Sequence, residues 1–149
     1  MARARRIIHP TDFSHASRAA FAKAVELAKR EGAELLVIHV ITPPTPFIGD
    51  GYVSPKTYEN LEAAARRSTG SQMAKILSRA KKAGVKHSGL LLEGIPHVQI
   101  TELARRKKAD LIVMGTHGRT GLAHFLMGIV AERVIGRAPC PVLTVRGKK

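Results

Sequence analysis

The 149-residue chain has a single cysteine, no tryptophan and an aromatic content of only 4%. One cysteine, Cys140, cannot form an intrachain disulfide, which fits a reducing cytoplasm. Because aromatic side chains are few, the core must consist of Val, Ile, Leu and Ala, a composition that suits a parallel sheet between Ala-rich helices. No apolar stretch is long enough to span a bilayer, and no signal-like apolar region follows the basic start. We therefore expect a cytoplasmic protein without a membrane segment.

Acidic residues are also scarce, since 25 Lys and Arg stand against 11 Asp and Glu and give a formal net charge of +14. Such a charge attracts polyanions. The basic residues are dispersed along the chain, however, and most lie at predicted helix C-termini, where cations complement the helix dipole. No aromatic platform, helix-turn-helix or finger spacing accompanies them. We interpret the charge as a solvated basic surface and do not expect specific nucleic-acid binding.

Apolar runs alternate with helical patterns along the chain. The runs predict five strands, at Arg6–Pro10, Leu35–Ile41, Val85–Leu92, Asp110–Met114 and Pro141–Arg146. Helices are predicted from Ser14 to Gly32, from Lys56 to Ala83, from Pro96 onward and from Gly128 to Gly136. Residues 42–55 are rich in Pro and Gly and are predicted to form a flexible crossover loop. The order predicts one doubly wound α/β domain, residues 1–149, with a mainly parallel sheet.

The long second helix is predicted to have an apolar stripe near one of its faces. The stripe consists of Leu61, Ala65, Met73, Ile76, Leu77 and Ala80. Gly70 lies inside this helix and weakens it by about 1 kcal/mol relative to Ala.

Two predicted strand ends carry residues suited to ligand binding. Asp12 follows the first strand, and the fourth strand runs directly into a glycine-punctuated loop from Gly115 to Gly128. In doubly wound sheets, ligands bind beyond the carboxyl ends of the strands, where the strand order reverses. Gly115 and Gly118 allow main-chain N–H groups to approach a phosphate, and Gly128 opens a helix whose first N–H groups are unpaired. Glycine spacing alone leaves two readings equally open, an anion cradle and a tightly packed turn.

Several kinds of site are excluded by their missing motifs. The chain has neither a P-loop nor a Gly-x-Gly-x-x-Gly sequence after the first strand. The seven histidines show no metal-ligand spacing, so no protein metal site is predicted. No nucleophile, base and orienting group stand together, so no catalytic residue is predicted. His117 and Arg119, both in the glycine loop, are candidates for contact with a phosphate.

The glycine loop resembles the signature of the universal stress protein family, Gly-x-x-Gly-x9-Gly-Ser/Thr. Here it reads Gly115-Thr116-His117-Gly118, nine residues, then Gly128. Residues 7–14, 113–121, 130–134 and 138–142 resemble the family as well, so the likeness covers essentially the whole chain. It implies a five-stranded parallel sheet in the order 3-2-1-4-5 with four helices, of the adenine-nucleotide-binding type. It also implies a homodimer through strand 141–146.

In the nucleotide-binding branch of that family, ATP occupies the crevice between strands one and four, with Mg²⁺ or Mn²⁺ on its phosphates. The resemblance therefore places Pro10, Thr11 and Asp12 at the adenosine end and the main chain of Val40 against the adenine. The residues expected along the ribose and phosphates are Met114, Gly115, Gly118 and Gly128. The backbone N–H groups of Ile129 and Val130 add donors at the start of the last helix.

One position departs from the family pattern. Ile129 stands where the signature has Ser or Thr, whose hydroxyl would donate to a phosphate; its loss removes roughly 1.5–3 kcal/mol. We expect a stress-response protein that binds ATP or another adenine nucleotide and acts as a sensor or binding module. The alternative is a family member that binds no nucleotide and works through dimer and protein contacts. A slow ATP hydrolase is a third, less favoured reading.

Overall fold

The computed structural model describes residues 4–42, 47–48, 51–116 and 128–147. Within these residues the strands are β1 Arg6–Pro10, β2 Glu34–Ile41, β3 Phe47–Ile48, β4 Gly51–Tyr52, β5 His87–Glu93, β6 Leu111–Gly115 and β7 Val142–Val145. The helices are α1 Ser17–Glu31, α2 Pro55–Lys82, α3 Pro96–Arg106 and α4 Ile129–Arg137. None of these helices is both long and apolar enough to cross a membrane.

Five of the strands form one parallel sheet in the order β5-β2-β1-β6-β7. Counted along the chain within this sheet, the order is 3-2-1-4-5, and the predicted fold class is confirmed. Strand β1 lies between β2 and β6, and the strand order reverses there. The carboxyl ends of β1 and β6 consequently lie side by side, at the place where doubly wound sheets bind their ligands.

The sheet is covered on both faces, which accounts for its continuous apolar strands. Successive residues of a strand point to opposite faces. Ile7 packs with buried residues of α1 and α2, and its neighbour Ile8 packs with buried residues of α3 and α4. Both side chains are completely buried. The helices therefore form two layers with the sheet between them.

The C-terminus of α1 agrees with the prediction from the sequence, whereas its N-terminus does not. Gly32 ends the helix in the left-handed conformation, with φ of 64°, as expected of a C-terminal glycine. The helix begins at Ser17 rather than immediately after Ser14, and its N-cap residue, Ala16, makes no side-chain cap. The Ser14 hydroxyl still accepts a hydrogen bond from the Ser17 N–H at 3.3 Å. Ser14 thus caps the turn that precedes the helix.

Only part of the apolar stripe of α2 is buried. Met73 and Ala80 are buried, but Leu61 is 41% exposed and Ala65 is exposed as well. Helix α2 packs on the edge strand β5, and only its C-terminal half contributes to the core. The apolar spacing is present along the entire helix, but its first half has no buried position in the described structure.

The described part of residues 42–55 contains more regular structure than a simple loop, and residues 43–46 and 49–50 lie outside the described residues. Strands β3 and β4 pair antiparallel, with Phe47 opposite Tyr52 and Ile48 opposite Gly51. Two residues per strand are too few to be predicted from Pro and Gly content. The pairing is separate from the five-stranded sheet.

Candidate functional site

The loop after β1 is held in one conformation by its own hydroxyl groups. The Thr11 N–H donates to the Ile38 carbonyl of β2 at 2.9 Å. The Thr11 hydroxyl accepts from the Phe13 N–H at 3.0 Å and lies 3.1 Å from the Ser17 hydroxyl. Because Ser17 donates its proton to the Ser14 carbonyl, Thr11 is the donor between the two hydroxyls. The side chain of Thr11 therefore shapes this loop.

Asp12 is fixed by the same loop and faces the space above the sheet. Its Oδ1 accepts from the Ser14 N–H at 2.9 Å, which closes a turn of the Asx type. Phe13 has a positive φ of 62°, a conformation that costs a non-glycine residue roughly 1–2 kcal/mol. The His39 ring packs against the Phe13 ring at a tilt of 35°, with centroids 4.5 Å apart, and stabilises that conformation.

Strand β2 extends past the end of β1 and leaves an open backbone edge. The register pairs Pro10, the last residue of β1, with Ile38, and β1 has no residue opposite Val40. Backbone groups two residues apart point to the same side of a strand. The Ile38 carbonyl points toward β1, where it accepts from Thr11, and the backbone of Val40 points the same way. The Val40 main chain therefore faces the crevice.

The opposite side of the crevice is the segment between β6 and α4. Gly128 is the N-cap of α4, and its N–H donates to the Thr116 carbonyl, which brings the helix start back to the end of β6. The first intrahelical hydrogen bond runs from Glu132 to Gly128, so the helix provides no acceptor for the N–H groups of residues 129–131. These N–H groups form a positive end of the helix dipole beside Gly115 and Thr116.

These segments enclose a cavity of about 320 Å³. Nine residues predicted from the sequence line it, namely Pro10, Thr11, Asp12, Val40, Met114, Gly115, Gly128, Ile129 and Val130. The other three predicted residues, His117, Gly118 and Arg119, lie outside the described residues. The structure thus brings the ends of β1, β2 and β6 and the start of α4 together around one cavity.

Part of the lining was not predicted from the sequence. The additional lining residues are Ser17, Ile38, His39, Pro96, Ile100, Thr116 and Ala131. Pro96 and Ile100 belong to α3, whose first turn approaches the crevice from the sheet face shared with α4. One sequence feature could have indicated these two residues, because Pro96 begins a helix directly after the third strand of the sheet. The inward side of α3 could not be connected to the crevice without the packing.

Ile129 lines the cavity, but 68% of its surface is exposed. Its side chain therefore does not fill the cavity, and the backbone N–H groups at the start of α4 remain beside the open space. Asp12 is the only acidic residue among the described lining residues. Among all the residues that the structure describes, no group of three or more His, Cys, Asp or Glu side chains could hold a metal ion.

His9 lies in the core, one residue before the cavity lining begins. Its ring is completely buried, and Nδ1 donates to the Val113 carbonyl at 2.9 Å. Its Nε2 has no hydrogen-bond partner among the described residues. Burial lowers the pKa of His9 to about 4, against the opposing effects of the Val113 carbonyl and the Asp12 charge. His9 is therefore a neutral core residue at physiological pH.

Cys140 is half-buried after α4. Burial raises the pKa of its thiol, and the negative charge of Asp110 raises it further. The thiolate is thus disfavoured, which agrees with a packed rather than a reactive cysteine.

Taken together, the sheet order and the cavity define a doubly wound α/β protein with a small-ligand crevice at the strand-order reversal. The model of the universal stress protein family matches residues 3–146, nearly the whole chain. The chain belongs to the universal stress protein family.

Relatives of known name support this membership. Universal stress protein MJ0531 of Methanocaldococcus jannaschii is 41% identical over 145 residues, which cover 97% of this chain and 84% of that protein. The solved structure of MJ0577, from the same organism, superposes with a TM-score of 0.83 at 26% identity and covers 99% of both chains. A universal stress protein solved in complex with cAMP superposes with a TM-score of 0.72 at 25% identity, covering 99% of this chain and 100% of that one.

Proposed function

We propose that this protein binds an adenine nucleotide, with ATP as the leading candidate, in the cavity between β1 and β6, and that it acts as a stress-response sensor or binding module. One observation carries the proposal. A single cavity of about 320 Å³ combines the main chain of Val40, beyond the end of β1, with N–H groups at the start of α4 that have no partner among the described residues. This volume lies within the usual range of roughly 300–1,000 Å³ for small-molecule sites.

The two ends of the cavity suit the two ends of a nucleotide. Backbone N–H and C=O groups on an open strand edge offer the paired donor and acceptor that an adenine ring can match. Ile38, Ile100 and Ala131 provide an apolar lining, against which a base loses little on leaving water. Asp12 accepts hydrogen bonds from the ribose hydroxyls in this arrangement. The N–H groups of residues 129–131 receive the phosphates.

A divalent cation, Mg²⁺ or Mn²⁺, would be held mainly by the phosphates of ATP. Asp12 is the only carboxylate that the described lining offers it. When bound, the cation neutralises part of the phosphate charge. The protein then contributes positioning through the backbone at Gly128 and the start of α4.

The relative solved with cAMP supports the adenine part of the proposal, because its chain has the same fold over its full length. Ile129 determines the affinity for nucleotide that we expect. Without the phosphate-binding hydroxyl, we expect Mg-ATP to bind with micromolar or weaker affinity, about tenfold or more below a Ser- or Thr-containing site. Isothermal titration calorimetry of the purified chain with Mg-ATP measures this directly.

The matched variants are Asp12→Asn and Asp110→Asn. Asn at position 12 can still accept from the Ser14 N–H but loses the negative charge offered to the ribose. Asp110 accepts from the backbone N–H groups of Arg5 and Arg6 at the opposite end of the sheet. Asp12→Asn should weaken ATP binding several-fold while Asp110→Asn leaves it unchanged. Absence of heat from folded wild type at high protein concentration would overturn the proposal.

The homodimer and the cytoplasmic location also belong to this proposal. Strand β7 is an edge of the sheet and pairs only with β6 among the described strands. Leu143 on this strand is 37% exposed. An apolar edge of this kind is covered when a second copy pairs with it across a two-fold axis.

A further inference from the structure

The basic residues that are dispersed in the sequence converge on one end of the folded molecule. In a doubly wound fold, every helix C-terminus and every strand N-terminus lies at the same end of the sheet, opposite the ligand crevice. The chain places Lys29 and Arg30 at the end of α1, and residues 105–108, all basic, at the end of α3. The basic residues at the ends of these two helices therefore lie at the same end of the molecule.

The same end receives the start of β1 and the junction from α2 to β5. Arg5 and Arg6 begin β1, and Arg79, Lys81, Lys82 and Lys86 surround the end of α2. We call these basic residues, together with those at 29–30 and 105–108, the basic pole. It holds twelve of the 25 Lys and Arg of the chain, against the three acidic residues at positions 31, 34 and 110.

Backbone hydrogen bonds show that the pole is one contiguous surface. The Leu35 N–H donates to the Lys86 carbonyl, and the Glu34 N–H donates to the Arg5 carbonyl. On the other side, the Asp110 N–H donates to the Arg6 carbonyl at 2.9 Å. The Arg6 guanidinium reaches across to the Lys107 carbonyl at 2.6 Å. The four strand starts are thus joined side by side in the order β5, β2, β1, β6.

Most of the positive charge at the pole is not neutralised. Within the described part of the chain, Arg6 and Arg30 are the only pole residues with an ion pair, to Glu34 at 3.6 Å and Glu26 at 3.4 Å. The other ten side chains are exposed. Their charges face water, where they are available to an external polyanion.

We propose that the basic pole binds the phosphate backbone of double-stranded nucleic acid without reading its sequence. Four neighbouring strand starts span roughly 15 Å at a strand spacing of about 4.8 Å. A duplex presents about one negative charge per 1.7 Å of its axis, or roughly nine charges over that length. The pole therefore matches a duplex in charge and in extent.

The make-up of the pole favours a duplex over other polyanions. A single-strand site needs aromatic side chains on which bases stack, and the segments that carry the pole, residues 5–6, 29–30, 79–86 and 105–108, contain no Phe, Tyr or Trp. Membrane-surface binding combines basic residues with inserted apolar side chains. Four of the six exposed large apolar side chains of the described residues lie toward the other end of the molecule, namely Leu61, Leu91, Ile95 and Ile129. The pole offers charge alone, which is the recognition a phosphate backbone requires.

Duplex binding at the pole is independent of nucleotide binding in the crevice. Helix α1 has 15 residues and runs between the two ends, a length of about 22 Å. A nucleotide at the carboxyl ends of the strands and a duplex at their amino ends therefore occupy separate surfaces.

The experiment is fluorescence anisotropy with a labelled DNA duplex of about 24 base pairs, titrated with the full chain across a range of salt concentrations. The pole variant is Lys81→Gln, Lys86→Gln and Arg106→Gln combined. The matched control is Arg18→Gln, Lys56→Gln and Arg67→Gln, which removes the same charge from exposed side chains outside the pole. Gln preserves helix propensity at the substituted positions that lie in helices, which are all except Lys86.

We expect wild type to bind with a slope of log affinity against log salt of about −3 or steeper. The pole variant should lose on the order of tenfold in affinity at low salt and reduce the slope by two to three. At about 0.1 M salt the control should change affinity by less than about threefold, because exposed charges more than about 10 Å away are screened at that ionic strength. A slope near zero for wild type, or equal losses in both variants, would overturn the proposal. Tighter binding to phosphatidylserine vesicles than to duplex, at equal phosphate charge, would overturn the assignment to nucleic acid.

Discussion

The ring of His39 packs against the ring of Phe13 with centroids 4.5 Å apart, and its Nδ1 lies 2.7 Å from the Thr11 carbonyl. A carbonyl can only accept, so Nδ1 is the donor. One side chain of β2 therefore holds two residues of the loop after β1, on either side of Asp12. The shape of the crevice depends on this contact between neighbouring strands.

The His39→Leu substitution tests that dependence. Leu retains apolar bulk but removes the donor, which leaves the Thr11 carbonyl unpaired and costs about 1–2 kcal/mol of stability. We expect weaker Mg-ATP binding in calorimetry as the loop loosens. The matched control is His87→Leu, because His87 makes the same kind of bond to the Val85 carbonyl at 2.8 Å, away from the crevice. Similar losses of ATP affinity in both variants would refute a local role for His39.

The Ile129→Ser substitution restores the family signature and should tighten ATP binding by about tenfold or more, since a hydroxyl donor to a charged phosphate contributes roughly 1.5–3 kcal/mol. Calorimetry on the variant measures the gain. Ile129→Ala is the control, because it removes the apolar side chain without adding a hydroxyl. If Ala tightens binding as much as Ser does, relief of crowding explains the gain and the hydroxyl does not. Unchanged affinity in both would show that the phosphates lie elsewhere.

His9 should make the fold sensitive to acid. Its pKa in the folded state is about 4, below the ordinary value of 6.5, so the unfolded chain binds a proton first as pH falls. The stability that neutral His9 contributes is fully present above pH 6.5 and is lost as pH falls toward 4. The loss amounts to about 3 kcal/mol over that window. Urea unfolding of wild type and His9→Gln at several pH values isolates this contribution.

The control for that measurement is His15→Gln, since the side chain of His15 is exposed to solvent. We expect the His15→Gln profile to follow wild type and the His9→Gln profile to be flatter between pH 6.5 and 4. Superimposable profiles for all three proteins would show that His9 is not the acid-sensitive group.

Gly70 offers a stabilising substitution. A Cβ at this position would meet no atom within 4 Å, so Gly70→Ala should raise the free energy of unfolding by about 0.5–1 kcal/mol. Gly89→Ala is the contrasting variant, because its Cβ would lie 2.7 Å from Leu77 Cδ1 and 3.1 Å from Met73 Sδ. We expect it to destabilise by about 1 kcal/mol or more through overpacking. Chemical denaturation measures the free energy of unfolding of both variants. A Gly70→Ala protein that is less stable than wild type would contradict the prediction that a Cβ has room at this position.

The dimer can be tested through one backbone N–H. Pro141 and Val145 direct their carbonyls to β6, where Ile112 and Thr116 donate to them, so the backbone of Thr144 points to the free edge. Thr144→Pro removes the outward N–H without breaking the bonds to β6, and it should convert a dimer to a monomer. Thr144→Val keeps the N–H and should remain dimeric. Sedimentation velocity at micromolar concentration distinguishes these outcomes, and a monomeric wild type would rule out the dimer.

The sequence by itself determined the elements of the fold and where its chemistry would be found. Short apolar runs bounded by Gly and Pro predicted all five strands of the parallel sheet to within two residues at either end. The alternation with helices predicted the doubly wound class because parallel strands require crossover helices. The resemblance to the universal stress protein family implied that strands one and four are neighbours, and the residues that follow them were therefore predicted to meet.

The tertiary structure determined which residues of different strands and helices contact one another. Strand register placed the Val40 backbone beyond the end of β1, and packing placed His39 on Phe13. The edge position of β5 left Leu61 exposed despite its helical spacing. The twelve charges of the basic pole come from four separate segments, and only the topology brings them to one end. Sequence patterns record the period of each element, whereas contacts between elements depend on register and packing, which no local pattern contains.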